Sequence, residues 1–394
     1  MVAECSRREF VAVAGRAAIG GLLWPLAGCS TGAPPAAATS DRALEALVQE
    51  LEGRIPTLLR DARVPGLSMA ILRDASVAWR RGFGIADHAS KAPVTVDTVF
   101  EAGSTSKPVF AYAVLKLCER GILGLDTPLS SYKAAPWVTG DSSAALITPR
   151  HVLSHTSGLP NWRSADDPLR VRFAPGSQWS YSGEGYSYLQ SVVTHLTGRV
   201  DRSLCSRYEQ NFEVCATDIG AFMRDRVLQP FGMARSGYVW NDTLASDWAQ
   251  PVDEANAPLE RPRPTATDAA RYAAAGGLLT TPGDYAKFLA ELLAPKPADE
   301  VRIGAASLTE MMTPQIPAPE ENGVTASWGL GWQLQQRPRG VVFAHGGYNP
   351  GYHSYVAASR ERQSGVVVMT NADHAYPVIQ TLVLQQLDRL LGMA

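Results

Sequence analysis

The chain has 394 residues, 36 Lys and Arg against 38 Asp and Glu, a formal net charge of −2 and an apolar fraction of 45%. That length supports one large core or two smaller lobes. The balanced charge excludes a nucleic-acid partner: no Lys/Arg run beyond the extreme N-terminus forms a phosphate-binding stripe, and the basic patch Arg261-Pro262-Arg263 sits in a Pro-containing loop.

In chain order, Ser6-Arg7-Arg8-Glu9-Phe10-Val11 precedes an apolar stretch, Val13 to Leu26, too short to span a bilayer comfortably. The pattern resembles a twin-arginine export signal, and Leu26-Ala27-Gly28-Cys29 resembles a lipobox. The expectation is a signal peptide over residues 1–28, a lipidated Cys29 as mature N-terminus, and an Ala/Pro-rich tether to residue 40. Ser30, in place of aspartate, favours the outer membrane, facing the periplasm. Of the remaining cysteines, Cys118 falls in an apolar helix as a free thiol, while Cys205 and Cys215 bracket a polar stretch and either close a small disulfide loop or stay free.

Residues 41–60 have the apolar period of a one-faced helix, with Leu44, Leu47, Val48, Leu51, Ile55, Leu58 and Leu59 on the stripe. Strands are expected at 67–72 and 77–83, joined by the turn Arg73-Asp74-Ala75-Ser76. A helix follows Ser104 and ends near Gly121. From 125 to about 279 helices and loops dominate: a short helix opens at Thr148-Pro149, Tyr186–Leu196 is apolar on one face, 201–217 reads as an insertion, and Thr281-Pro282-Gly283-Asp284 opens a helix to Leu293. Strands return at 329–336, 340–345, 353–359 and 365–370, and a helix over 376–391 finishes the chain. The expected fold class is α/β (α+β): an antiparallel sheet built from both termini, flanked by helices, with a helical lobe inserted between.

Ser104-Thr105-Ser106-Lys107 organises the chemistry. Serine and lysine three apart share one helix face, and a lysine shielded from water can act as the base that a serine nucleophile needs. Alone, the pattern is equally compatible with an ordinary helix cap at Ser104. Ser130-Ser131-Tyr132-Lys133 repeats it, with no amphipathic segment behind, and reads as a solvated loop. His151 and His155 share a helical face, yet Val152 stands where a zinc hydrolase needs its glutamate, so neither a metal nor any other cofactor is expected. No Gly-x-Ser-x-Gly elbow is present.

Three motifs in order carry a family resemblance: Ser104-Thr105-Ser106-Lys107, then Tyr181-Ser182-Gly183, then His345-Gly346-Gly347. The segments Leu153-Ser154-His155-Thr156-Ser157-Gly158-Leu159-Pro160 and Gly276-Gly277-Leu278-Leu279-Thr280-Thr281-Pro282 add to it. From residue 41 to the C-terminus the chain resembles the serine hydrolases related to class C β-lactamases, penicillin-binding DD-peptidases and their esterase relatives. The resemblance implies a β-lactamase/transpeptidase-like fold and an acyl-enzyme on Ser104, with Lys107 and Tyr181 relaying the proton. It also implies an oxyanion hole from the backbone N–H groups of Ser104 and Tyr348, and substrate contacts at Gly183, His345, Gly346 and Gly347. Two departures matter. Gly183 replaces the family's asparagine and His345 the family's lysine, and an exposed, mostly neutral histidine favours a neutral ester or amide over a penicillin. The expected function is a carboxylesterase-like hydrolase of small-molecule esters, amides or peptides. β-Lactamase or D-amino-acid/DD-peptidase activity is one alternative, and a catalytically silent cell-wall-binding lipoprotein is another.

Overall fold

The computed structural model describes residues 36–134, 142–164, 169–197, 206–208, 212–214, 216–260, 272–321 and 323–393. Cys29, Cys205 and Cys215, the export signal and the 261–263 basic patch lie outside them. Residues up to Ala46 form one unit, described only as the opening turns of helix α1 (Ala36–Ala62), and Leu47–Ala394 form the second. Helix α1 begins before the expected Asp41, because the alanine run at 36–38 offers nothing to stop it. Within the second unit it buries Leu47, Leu51, Ile55 and Leu59.

The sheet of the second unit has eight antiparallel strands. Strands β1 (Gly66–Arg73) and β2 (Ser76–Gly84) form a hairpin whose central residues, Asp74 and Ala75, take φ of 49° and 53°, the mirror-image turn that suits strand twist. Strand β3 (Phe100–Glu101) pairs with β6 (Leu279–Thr280), and β4 (Ser206–Tyr208) with β5 (Phe212–Val214), as two small ladders. Strands β7 (Ile316–Glu321), β8 (Val324–Trp328), β9 (Gln333–Arg337), β10 (Gly340–Asn349), β11 (Tyr352–Ser359) and β12 (Ser364–Thr370) follow. The order is β2-β1-β12-β11-β10-β9-β8-β7, so the N-terminal hairpin closes on the last strand, with Ala70 opposite Val367. Strands β1 and β12 are buried almost throughout, since helices cover them, and the helix Pro282–Leu293 packs on β1, β2 and β12.

Four local expectations need correction. The hairpin β7–β8 was hidden by Pro317 and Pro319, which lack ladder N–H groups but are tolerated because β7 is the sheet's edge. Residues 329–332 form a bend with Gly331 at φ 89°, and β9 starts only at Gln333. The insertion at 201–217 contains the small β4–β5 hairpin. The C-terminal helix is broken: Tyr376–Leu382 and Leu387–Leu390 flank a tighter turn at Leu384–Gln386, which lets Leu382, Leu387, Leu390 and Leu391 all turn inward.

Helix α2 (Ser106–Glu119) is buried at every position from Ser106 to Leu115, the mark of a helix at the centre of a domain rather than on its face. Helices α3 (Pro149–Leu153) and α4 (Gly183–Thr197) lie between it and the strands of the last third in sequence. Thr148 caps α3 by accepting from His151 N, with Pro149 in the first turn, as the sequence leads one to expect. Tyr112 of α2 joins an aromatic group with Phe231, Tyr285, Phe288 and Trp332, packed edge-to-face and stacked.

Candidate active site

Ser104 is not in α2 itself but in a tight turn, Gly103–Thr105, just before it. Pro108 cannot donate to the Ser104 carbonyl, which is why the regular helix starts two residues later. Gly103 takes φ 54°, and a Cβ there would lie 2.7 Å from Tyr348 N. Only glycine fits, and the serine turn is thereby pressed against β10. A Cβ on Gly347 would come within 2.2 Å of both Ala102 O and Ser354 Oγ, so the same contact needs glycine on the strand side too. Ser106 Oγ donates to Gly103 O at 2.6 Å and receives Leu278 N at 3.0 Å, fastening the turn to the Gly276–Thr281 segment.

Lys107 is fully buried. Its Nζ lies 3.1 Å from Ser104 Oγ and donates to Ala275 O at 2.6 Å. The rings of Tyr181 and Tyr186 lie 4.7 and 5.5 Å from it. Burial pushes its pKa down from 10.5 to about 7, so near neutrality the amine can give one N–H to Ala275 and turn its lone pair to Ser104.

Tyr181 sits against the same pair. Its ring edge is partly exposed while its hydroxyl is buried and makes no hydrogen bond of good geometry. Burial raises the phenol well above its usual pKa, with the Ser104 hydroxyl beside it working weakly the other way. Tyr181 is therefore a neutral phenol that can relay a proton, not the anionic base that neighbouring cations would have to create.

His345 is buried on β10, not exposed as its place near a turn implied, and Gly346 and Gly347 continue the strand, whose hairpin turn comes only at Pro350-Gly351. Its Nδ1 lies 2.6 Å from Gly346 O and is the donor there. Nε2 is then an acceptor, buried and without a partner, and the ring lies 6.1 Å from that of Tyr181. Burial, reinforced by Lys107, pushes its pKa down to about 3. The expected neutral histidine is thus neutral by a wider margin, for desolvation rather than by ordinary titration.

His155 escaped the functional reading, although the segment carrying it was noticed. At φ 57° it takes a strained left-handed backbone. Its carbonyl accepts from Ser180 N, its Nδ1 accepts from Ser182 N at 3.0 Å, and its ring lies 4.1 Å from Tyr181 at a 30° tilt. It holds the Tyr181 loop from both sides, and a periodicity argument has no means of finding such a residue. His151 instead accepts from Thr148 N, so the two histidines face different groups. Ser130 donates to Ala145 O, and the second Ser-x-x-Lys motif forms no site. Cys118 is a free, half-buried thiol whose pKa burial raises to about 12.

Ser104, Tyr181, His345, Gly346, Gly347 and Tyr348 share a cleft of about 480 Å³ with Trp179, Trp328, Glu320 and Tyr355. No Lys or Arg is among its described lining residues. Tyr348 stands half exposed at the rim, its hydroxyl donating to Asp373 Oδ1 at 2.9 Å.

The sequence profile of the Beta-lactamase family matches residues 41–387. The chain belongs to the β-lactamase family. As such it is a serine hydrolase with the β-lactamase/transpeptidase-like fold. It is 30% identical over 223 residues to esterase EstB of Burkholderia gladioli, a match covering 49% of this chain and 52% of that esterase, so it spans about half of that relative. It is 27% identical over 375 residues to penicillin-binding protein 4 of Amycolatopsis lactamdurans, covering 86% of this chain and 89% of that one. Among solved structures, the octameric penicillin-binding protein homologue from Pyrococcus abyssi superposes with a TM-score of 0.69 at 23% identity, over 86% of this chain and 77% of that one.

Lys107→Met tests the desolvation of the amine. Unfolded Lys107 keeps its ordinary pKa of 10.5, so between pH 7 and 10.5 the unfolded state binds more protons and the native protein gains stability as pH rises. The methionine variant should be more stable than the native chain by roughly 1–3 kcal/mol at pH 7, with the difference shrinking toward pH 10. Denaturant unfolding at several pH values measures this, and a pH-independent loss of stability would contradict it.

Proposed function

We propose that this family member is an exported, lipid-anchored carboxylesterase that cleaves small neutral esters through an acyl-enzyme on Ser104. The observation that carries the reading is a nucleophile cleft without a permanent cation, in which the neutral His345 stands at the family's lysine position. Neutral Lys107 takes the proton from the Ser104 hydroxyl as Oγ bonds to the substrate carbonyl carbon. The resulting oxyanion is held by the backbone N–H groups of Ser104 and Tyr348, each such donor contributing about 3 kcal/mol in known hydrolases. Tyr181 passes the proton from the Lys107 ammonium to the departing alkoxide. A water then attacks the acyl carbon as Lys107 takes its proton, and that proton passes to Ser104 Oγ as the acyl C–O bond breaks, releasing the acid and leaving Lys107 neutral again. The carboxylate of a penicillin or a peptide C-terminus finds no fixed positive charge in the cleft.

Short-chain nitrophenyl esters compared with nitrocefin test the reading. Ester kcat/KM should exceed nitrocefin kcat/KM by roughly a hundredfold or more, and Ser104→Ala should abolish both, along with fluorophosphonate labelling. His345→Lys should narrow the gap by about ten- to a hundredfold, since a permanent charge facing a carboxylate contributes ~1–3 kcal/mol. Nitrocefin turnover equal to ester turnover in the unmodified protein would contradict the esterase reading and restore the β-lactamase or DD-peptidase one.

The export part rests on the Arg7-Arg8 pattern and the Leu26–Cys29 lipobox. Among the described residues no helix is long and apolar enough to cross a membrane. If the lipobox reading holds, Cys29→Ala should move the protein from the membrane to the soluble fraction, because acyl chains on Cys29 would be its attachment. Retention of that variant in membranes would contradict the anchor.

A further inference from the structure

Gly183 is more than a missing asparagine, because the space its side chain would need is already filled. A Cβ placed there would lie 2.5–2.7 Å from three carbons of the Trp162 indole, distances no side chain tolerates without displacing the ring. Trp162 is not there by chance of a loose loop. Asn161 O receives the N–H groups of Gly183 and Glu184 at 3.1 Å, and Asn161 Oδ1 receives Gly183 N–H at 3.0 Å. On the other side, Arg163 donates through Nε and Nη2 to the two carboxylate oxygens of Glu184, in a pair whose side chains are 7% and 1% exposed. A two-pronged, desolvated pair of this kind costs more in dehydration than it returns unless its geometry fixes something. What lies between its two anchors is Trp162.

The indole is 43% exposed, and its outer edge meets Tyr272 edge-to-face at 4.9 Å. Tyr272 leads into the helix Ala273–Gly276, which supplies the Ala275 carbonyl to Lys107. The pair therefore joins the turn carrying Tyr181 to the turn that receives Lys107. There Trp162 fills with apolar atoms the space in which an amide at 183 would offer both a donor and an acceptor, on the segment that carries Tyr181 and beside the lining of the Ser104 cleft rather than within it.

We propose that Trp162, seated on Gly183 and braced by Tyr272, is a specificity-determining residue that replaces a polar subsite for acylamino groups with an apolar wall. The substrates it selects are esters whose acyl group is short or apolar and carries no amide arm. This rests on the esterase reading of the Ser104 site. An amide-bearing acyl group would bury its carbonyl and N–H against the indole unpaired, and a site discriminates strongly against such a loss.

A double-mutant cycle of Gly183→Asn and Trp162→Ala tests the proposal through unfolding midpoints and kinetics. Gly183→Asn alone should lower the midpoint by roughly 2–5 °C, and the same substitution beside Trp162→Ala should cost little. The double variant should raise the ratio of nitrocefin to nitrophenyl-butyrate kcat/KM by about tenfold or more over the unmodified protein. Should Gly183→Asn not fold, Gly183→Ala makes the same steric comparison with a bare Cβ. Equal tolerance of the 183 side chain with and without Trp162 overturns the proposal, as does an unchanged substrate ratio in the double variant. Fluorophosphonate labelling of Ser104 keeps the two claims apart: an unlabelled native protein defeats the hydrolase site itself, whereas a labelled protein with uncoupled midpoints defeats only the role of Trp162.

Discussion

A single amine taken out of water sets the demands that the rest of the molecule meets. Lys107 lies on a helix buried on nearly all sides, and among the described residues its nitrogen meets Ser104 Oγ, the Ala275 carbonyl and two tyrosine faces. Each partner comes from a different part of the chain, so the site exists only when α2, the Tyr181 loop and the Ala273–Gly276 helix are all in place. The cost of stripping water from an ammonium is what lowers the amine's pKa to about 7, the property that the proposed base role needs.

The chemistry of the cleft follows the same physical cause. Desolvation that lowers Lys107 also lowers His345 and raises Tyr181, so His345 and Tyr181 are uncharged at neutral pH and Lys107 loses its proton near pH 7. A cleft with no Lys or Arg among its described lining residues and with Trp179, Trp328, Tyr181 and Tyr355 on its walls is suited to apolar acyl groups without a carboxylate. On the proposed esterase reading, His345 and the Gly183–Trp162 contact act in one direction: one leaves the family's cation position neutral and the other leaves no amide at 183.

The sequence carried the parts of this site that are local and chemical. Ser104 and Lys107 three apart were legible from residue type and spacing, whereas Tyr181 and the His345-Gly346-Gly347 run were legible only through the resemblance of three ordered motifs to a family. The antiparallel sheet closed from both termini was legible too, since β-rich segments at the two ends had no other partners. Burial and tertiary grip were not. His345 looked exposed beside two glycines, yet β10 runs on to Asn349 and the serine turn covers it. Pro317 and Pro319 masked an edge strand. His155 and Trp162 act through residues 27 and 21 positions away along the chain, Ser182 and Gly183, and no local pattern reports such contacts.

The pH dependence of ester kcat/KM tests the central claim most directly, because it reads the protonation of the free enzyme's base. If Lys107 is the desolvated base, activity should rise with a single limb centred near the amine's lowered pKa of about 7 and then hold level, with His345 already neutral across that range. A limb centred near the ordinary lysine value of about 10, or no limb at all between about pH 5 and 9, would contradict the account.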